Sequence, residues 1–206
     1  FIMQSTESLI AVCFNSSLLK YGGDLAVGSM TVLTSIMQFA MMPLHGLTQG
    51  AQPIISFNFG ARSAKRVREA FRCLLTACVT YSMALWLLVQ LFPRMFVLIF
   101  NSNPALVDYA AWALRIYMGA TGIFGVQIAC QQTFVALGNA KTSLFLAILR
   151  KIILLIPLIY LLPCFFADKA FAVFLAEPVA DLLAVLTTAT LFARQFRRSM
   201  AELEAK

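Results

Sequence analysis

Six apolar stretches, each of roughly the twenty residues a helix needs to cross a bilayer, follow one another along this chain at 2–19, 25–45, 73–92, 109–137, 143–162 and 171–192. A hydrocarbon core about 30 Å thick admits such helices because backbone groups facing lipid find hydrogen-bond partners only within their own segment. Hydrophobic residues make up 61% of the chain and its mean hydropathy is +0.84, which excludes a water-soluble globule. The expected fold is an all-α membrane protein of six transmembrane helices.

Charge fixes the expected orientation. The gap after the second stretch carries Arg62, Lys65, Arg66, Arg68 and Arg72, the gap after the fourth carries Lys141, and residues 193–206 carry Arg194, Arg197, Arg198 and Lys206. The remaining gaps hold only Lys20, Arg94 and Lys169. Lys and Arg in excess stay in the cytoplasm, so both ends are expected inside a bacterial plasma membrane, with 193–206 as a basic cytoplasmic tail. These residues account for the net charge of +7 and the pI near 9.4, and nucleic acid is not an expected partner. Phe1 opens directly inside an apolar helix, so a fragment of a longer protein is expected. No signal peptide precedes the first span, so nothing is expected to be processed away.

Enzymatic chemistry finds no footing. Cys13, Cys73, Cys78, Cys130 and Cys164 are odd in number, scattered and without a CxxC pair, and read as small packing residues. With His45 as the single histidine and no HExxH string, no metal site is expected. No GxSxG elbow is present, and the nearest approach to a phosphate loop, Gly138 to Thr142, lacks the leading glycine and reads as a turn opening the fifth helix.

Polar residues inside the spans are costly unless they face protein or water. At about 100° per residue, Gln4, Ser8, Ala11 and Asn15 fall within roughly 40° of one line, with Glu7 about 60° to one side. In the second helix Thr31, Thr34, Gln38, Met41, His45, Gln49 and Gln52 fall within about 80° if the helix continues through Pro43. Gln127 and Gln131, one turn apart on the fourth helix, suggest a third, shorter polar face. Gly119, Gly122 and Gly125 weaken that helix or let a neighbouring backbone approach. Such stripes serve either interhelical hydrogen bonds or a wet cavity. On the second reading Glu7 with Asn15 holds a coupling cation, while Gln4, Gln38, Met41, His45, Gln127 and Gln131 meet a substrate. Met42 and Phe39 add adaptable apolar contacts.

The last two helices carry Arg150, Lys151, Glu177 and Asp181. A hairpin centred near Phe166 puts Asp181 at the depth of Arg150 and Lys151, and predicts an ion pair between Asp181 and one of them, structural in role.

The segment Gly46 to Arg72, GLTQGAQPIISFNFGARSAKRVREAFR, closely resembles the loop signature of the multidrug and toxic compound extrusion family, a GLxQGxQPxIxxNxGA pattern after the eighth of twelve helices. Leu18 to Met30, LLKYGGDLAVGSM, is similar to that family's turn between helices seven and eight. LGNAKTSLFLAILRKIILLIPLIYLLP and AEPVADLLA are similar to its helices ten to twelve.

The resemblance implies that residues 1–206 are the C-terminal six-helix lobe of a bacterial-type member, helices seven to twelve, with an N-terminal lobe as its missing partner. It implies export of lipophilic, often cationic compounds by alternating access, driven by H+ or Na+ and without a cofactor. Glu7 stands where some branches place a coupling glutamate. The aspartate those branches carry on helix ten has no counterpart here, where Val126, Gln127 and Gln131 occupy the neighbourhood. Gly46, Gly50, Pro53 and Gly60 are expected to break the second helix as a hinge or an ordinary exit loop. A lipid-linked saccharide flippase of the same superfamily and an inactive lobe or scaffold are the alternatives.

Overall fold

Gly23 is where the chain first leaves the helical region. Its φ of 67° and ψ of −164° suit a residue without a side chain, and it splits the run Ile2–Gly60 (α1) into two legs. The computed structural model describes residues 2–204, with side chains from residue 6 onward. After α1 come α2 (Ala64–Leu91), a short α3 (Pro93–Leu98), α4 (Pro104–Tyr117), α5 (Thr121–Ala136), α6 (Ala140–Ile148), a π-helical segment (Leu149–Leu155), α7 (Ile156–Phe165) and α8 (Lys169–Glu204). Among the described residues there is no strand.

Contacts give the directions. Phe14 packs edge-on against Tyr117 and Gly22 lies against Tyr109, so the first leg of α1 runs opposite to α4. Gly28 lies against Leu106 and the Ser56 hydroxyl donates to the Ala136 carbonyl at 2.9 Å, so the second leg runs along α4 and α5. The legs therefore form a hairpin closed at Gly23. Two legs of α1, then α2, the α4–α5 pair, the α6–π–α7 run and α8 make six passes of a bundle, the number read from the apolar stretches. Over their apolar windows α8 is 56% buried and the α6 to α7 run only 22%, which puts α8 at the centre of the bundle and the α6 to α7 run at its rim.

α4 and α5 meet at 52° across Met118 to Ala120, where the glycines had pointed. One face of α2 donates to three carbonyls at and beside this bend. Ser82 donates to Gly122, Trp86 Nε1 to Gly119 and Gln90 to Arg115, each at 2.9 Å and four residues apart along α2. Gly125 lets the two helices close up, since a Cβ there would stand 2.4 Å from the Cys78 carbonyl oxygen.

One segment differs from expectation. The second helix is not broken by Gly46, Gly50 or Pro53 but runs to Gly60. Burial of Thr48 and Ile55 and the Ser56 bond hold it there against local preferences that disfavour helix. It ends when Arg62 adopts a φ of 56° and the Ser63 N–H reaches back to the Asn58 carbonyl at 3.0 Å. The stretch read as a basic tail continues α8 to Glu204, with Phe192 and Phe196 on Phe71, Met200 buried, and Glu204 accepting from Arg68 at 2.7 Å. Cys13, Cys78 and Cys130 are buried as packing residues, whereas Cys73 and Cys164 are exposed.

Candidate functional site

Counting from Gly23 aligns the two legs of α1. Asn15 and Thr31 are equally far from the turn, as are Ser8 and Gln38, so the polar residues of both legs share depth. On the first leg Glu7, Ser8, Ala11 and Asn15 are exposed; Gln4 lies outside the residues whose side chains are described. On the second leg Thr31, Gln38, His45 and Gln49 are exposed and Thr34 and Gln52 are half-buried. Thr31 and Thr34 donate to carbonyls of their own helix at 3.2 and 3.0 Å, and His45 Nδ1 lies 2.9 Å from the Met41 carbonyl. Gln38 makes no hydrogen bond among the described residues. An uncapped amide and a carboxylate at bilayer depth require water or another protein surface rather than acyl chains. Phe39 at 72% and Met42 at 66% exposure flank the stripe, while Met41 is buried and stands behind it.

α5 does not contribute to this face. It is packed between α2 and α8, so Gln127 is fully buried and Gln131 donates to the Ser143 carbonyl at 3.1 Å. The third polar face belongs to the interior of the lobe.

The acidic residues of α8 meet the π-helical segment. Arg150 donates from Nη2 to Glu177 at 2.8 Å and from Nε to Asp181 at 2.5 Å, and its guanidinium carbon lies 4.5 Å from the centre of the Phe124 ring. All three charged side chains are nearly buried, at 12, 8 and 2% exposure. Lys151 does not join them but pairs with Glu7, whose side chain is 54% exposed. Successive helical residues point about 100° apart, so once Arg150 is turned to α8 its neighbour is turned to the first leg of α1. Pro157, which cannot donate to the Ile153 carbonyl, sits two residues beyond the π-helical segment that carries both bases. The spacing of four between Glu177 and Asp181 puts both acids on one face of α8, and the assembled bundle makes Glu177 the second acid on Arg150. The partner of Glu7 had no comparable local signal.

A separate groove of about 400 Å³ lies between α2, α5 and α8, lined by Met83, Trp86, Gly119, Ile123, Pro178 and Leu182 among others. It contains none of the stripe's residues.

The MatE family matches residues 1–161. The multidrug export protein MepA of Staphylococcus aureus (strain N315) is 22% identical over 188 residues, covering 90% of this chain and 41% of that protein. MepA of Staphylococcus saprophyticus gives the same identity and coverage. Among solved structures, the MATE multidrug transporter DinF-BH is 34% identical, with a TM-score of 0.79 over 94% of this chain and 43% of that one. A MATE protein in the bent conformation is 15% identical with a TM-score of 0.90 over 98% of this chain, a likeness of fold. The chain thus spans less than half the length of the relatives it matches.

Proposed function

The chain belongs to the MatE family, and on that footing we propose that it forms the C-terminal lobe of a secondary antiporter that exports lipophilic, often cationic compounds from bacteria. A second six-helix lobe, supplied by the rest of the protein, faces the polar stripe of α1. The observation carrying this reading is that Glu7, Asn15, Gln38 and His45 stand exposed at bilayer depth, on legs that otherwise bury Phe14, Leu18, Leu33 and Ile36.

Between lobes that stripe becomes a wet cavity in which Phe39, Met42 and the rim of Gln38 and His45 adapt to varied apolar bodies. A cationic compound competes with Lys151 for the Glu7 carboxylate, and a proton arriving at Glu7 removes the charge that held it. Binding of drug and proton is then mutually exclusive, the requirement for exchange. The basic cluster at Arg62 to Arg72, Lys141 and Arg194 to Arg198 orients this end toward the cytoplasm. A saccharide-pyrophosphate flippase is less well supported, because Arg150 and Lys151 are already neutralised by carboxylates.

The test is transport of a fluorescent cationic dye by the full-length protein in vesicles, with proton and sodium gradients imposed separately. Glu7→Gln, which lacks the charge that holds a cation, is expected to weaken dye binding and to reduce gradient-driven accumulation to the passive level. Coupling that survives the substitution with either ion removes Glu7 from the exchange.

A further inference from the structure

Two carboxylates share one guanidinium in the middle of this lobe, and the charges around them do not balance. Arg150 and Lys151 supply two positive charges, whereas Glu7, Glu177 and Asp181 supply three negative ones. Lys151 is turned to Glu7, so the excess falls on the Glu177 and Asp181 pair, whose side chains are 8 and 2% exposed. Carboxylates so placed are tolerated when paired, and a second acid on one cation is most cheaply neutralised by a proton. Among the described residues, the only counter-charge near the pair besides Arg150 is Lys151, which acts on both acids from a distance while its ammonium is in contact with Glu7. α4 presents the buried phenol of Tyr117, within electrostatic reach of both acids and Arg150. α5 presents the Phe124 ring and Gln127, and its Cys130 packs elsewhere with Phe134, Leu146 and Phe192. The first leg of α1 presents Glu7, which Lys151 occupies.

A second, independent feature points the same way. Gln127 is 1% exposed and its side-chain oxygen has no hydrogen-bond donor among the described residues. It lies three residues from Phe124, which covers Arg150, and four from Gln131, which bonds the Ser143 carbonyl, so these residues share the face of α5 turned to α6 and the π-helical segment. On α8 the buried Thr188 hydroxyl, seven residues beyond Asp181 on the same face, is likewise unpartnered. Buried polar atoms without partners are commonly served by ordered water, the carrier that a proton path needs. The row continues to the basic end of the lobe, where Asn139 donates to Gln195 at 2.9 Å and accepts from Thr142 at 2.8 Å.

We propose that Glu177 and Asp181 together hold one exchangeable proton, which reaches them from the basic end along the polar row of Asn139, Gln195, Ser143, Gln131, Thr188 and Gln127. The step is the making and breaking of one carboxyl O–H bond, with water at the basic end as donor and acceptor of the proton. This deepens the antiport reading by adding a proton site behind Glu7, and rests on that reading only for the use made of the proton. Arg150 and Lys151 are adjacent in the chain, so a change of charge on one pair is felt by the other without a long relay.

The experiment is infrared difference spectroscopy of the full-length transporter in lipid, stepped from alkaline to acid pH, in the wild type and in Glu7→Gln. A carboxylic C=O band that forms on acidification and persists in Glu7→Gln is expected, lost or shifted in Glu177→Gln and in Asp181→Asn. A Glu7→Gln protein that gains no such band, or a band unchanged by both isosteric substitutions, overturns the proposal. A band that sodium ions abolish at constant pH also overturns it, assigning the pair to a metal cation. If Glu7→Gln still couples transport while the band behaves as expected, the role of Glu7 fails and this site stands; if coupling is lost and the band is absent, the reverse holds.

Discussion

Gly125→Ala tests how closely α2 and α5 are packed. The new methyl carbon would stand 2.4 Å from the Cys78 carbonyl oxygen, 2.5 Å from Ser82 Oγ and 2.7 Å from the Cys78 carbonyl carbon, and two of these atoms are backbone. Ordinary contact begins at 3.4 Å, so α2 must retreat by about 1 Å, a change that close-packed interiors resist. Overpacking of this kind destabilises by about 1–3 kcal/mol. Retreat also stretches the Ser82 bond to Gly122, worth about 0.6 kcal/mol in membrane bundles. Alanine's better helix propensity returns about 1 kcal/mol, leaving a net loss of about 0.5–2.5 kcal/mol. Gly46, with nothing within 4 Å of its Cβ position, makes the control: Gly46→Ala is expected to be neutral or to stabilise by up to about 1 kcal/mol. Reversible unfolding of both variants in mixed micelles reads the difference. A Gly125→Ala protein as stable as Gly46→Ala would refute the close approach.

Arg150→Met leaves two buried acids without their cation and is expected to destabilise by about 3–5 kcal/mol in the same assay. Adding Glu177→Gln and Asp181→Asn is expected to recover much of that loss, and no recovery contradicts the charge account. Trp86→Phe removes the donor to the Gly119 carbonyl and is expected to lower stability by about 0.5–1.5 kcal/mol, most visibly as faster amide exchange at the α4–α5 bend. Lys151→Met is expected to change stability by less than about 1 kcal/mol, since Glu7 is half exposed, while shifting the drug affinity of the full transporter.

Local composition made some features legible and hid others. The six passes and the bend at Gly119 follow from apolar length and glycine placement, which act within a few turns of helix. The meeting of Arg150 with Asp181 follows from counting outward from one short turn, a register that holds because α7 ends at Phe165 and α8 begins at Lys169. The helical continuation through Pro53 to Gly60 was not legible, because burial of Ile55 against residues far along the chain outweighs the local signals. Gln127 and Gln131 have the same spacing as the exposed polar residues of α1. Only the enclosure of α5 between α2 and α8 tells an internal polar row from a cavity wall. The Lys151 contact with Glu7 joins residues far apart along the chain and required the assembled bundle.

The most direct test of the central claim, that one face of α1 meets water at bilayer depth, is the reactivity of single cysteines. In a full-length transporter freed of its native cysteines, Asn15→Cys, Gln38→Cys and His45→Cys are compared with Leu88→Cys and Phe145→Cys, whose parent side chains are exposed but apolar. A membrane-impermeant, charged thiol reagent is expected to modify the first three and to spare the last two, with bound drug slowing the reaction at Gln38→Cys. Equal inertness of all five toward that reagent, with all five open to a lipid-soluble one, would place the stripe against acyl chains and contradict the account.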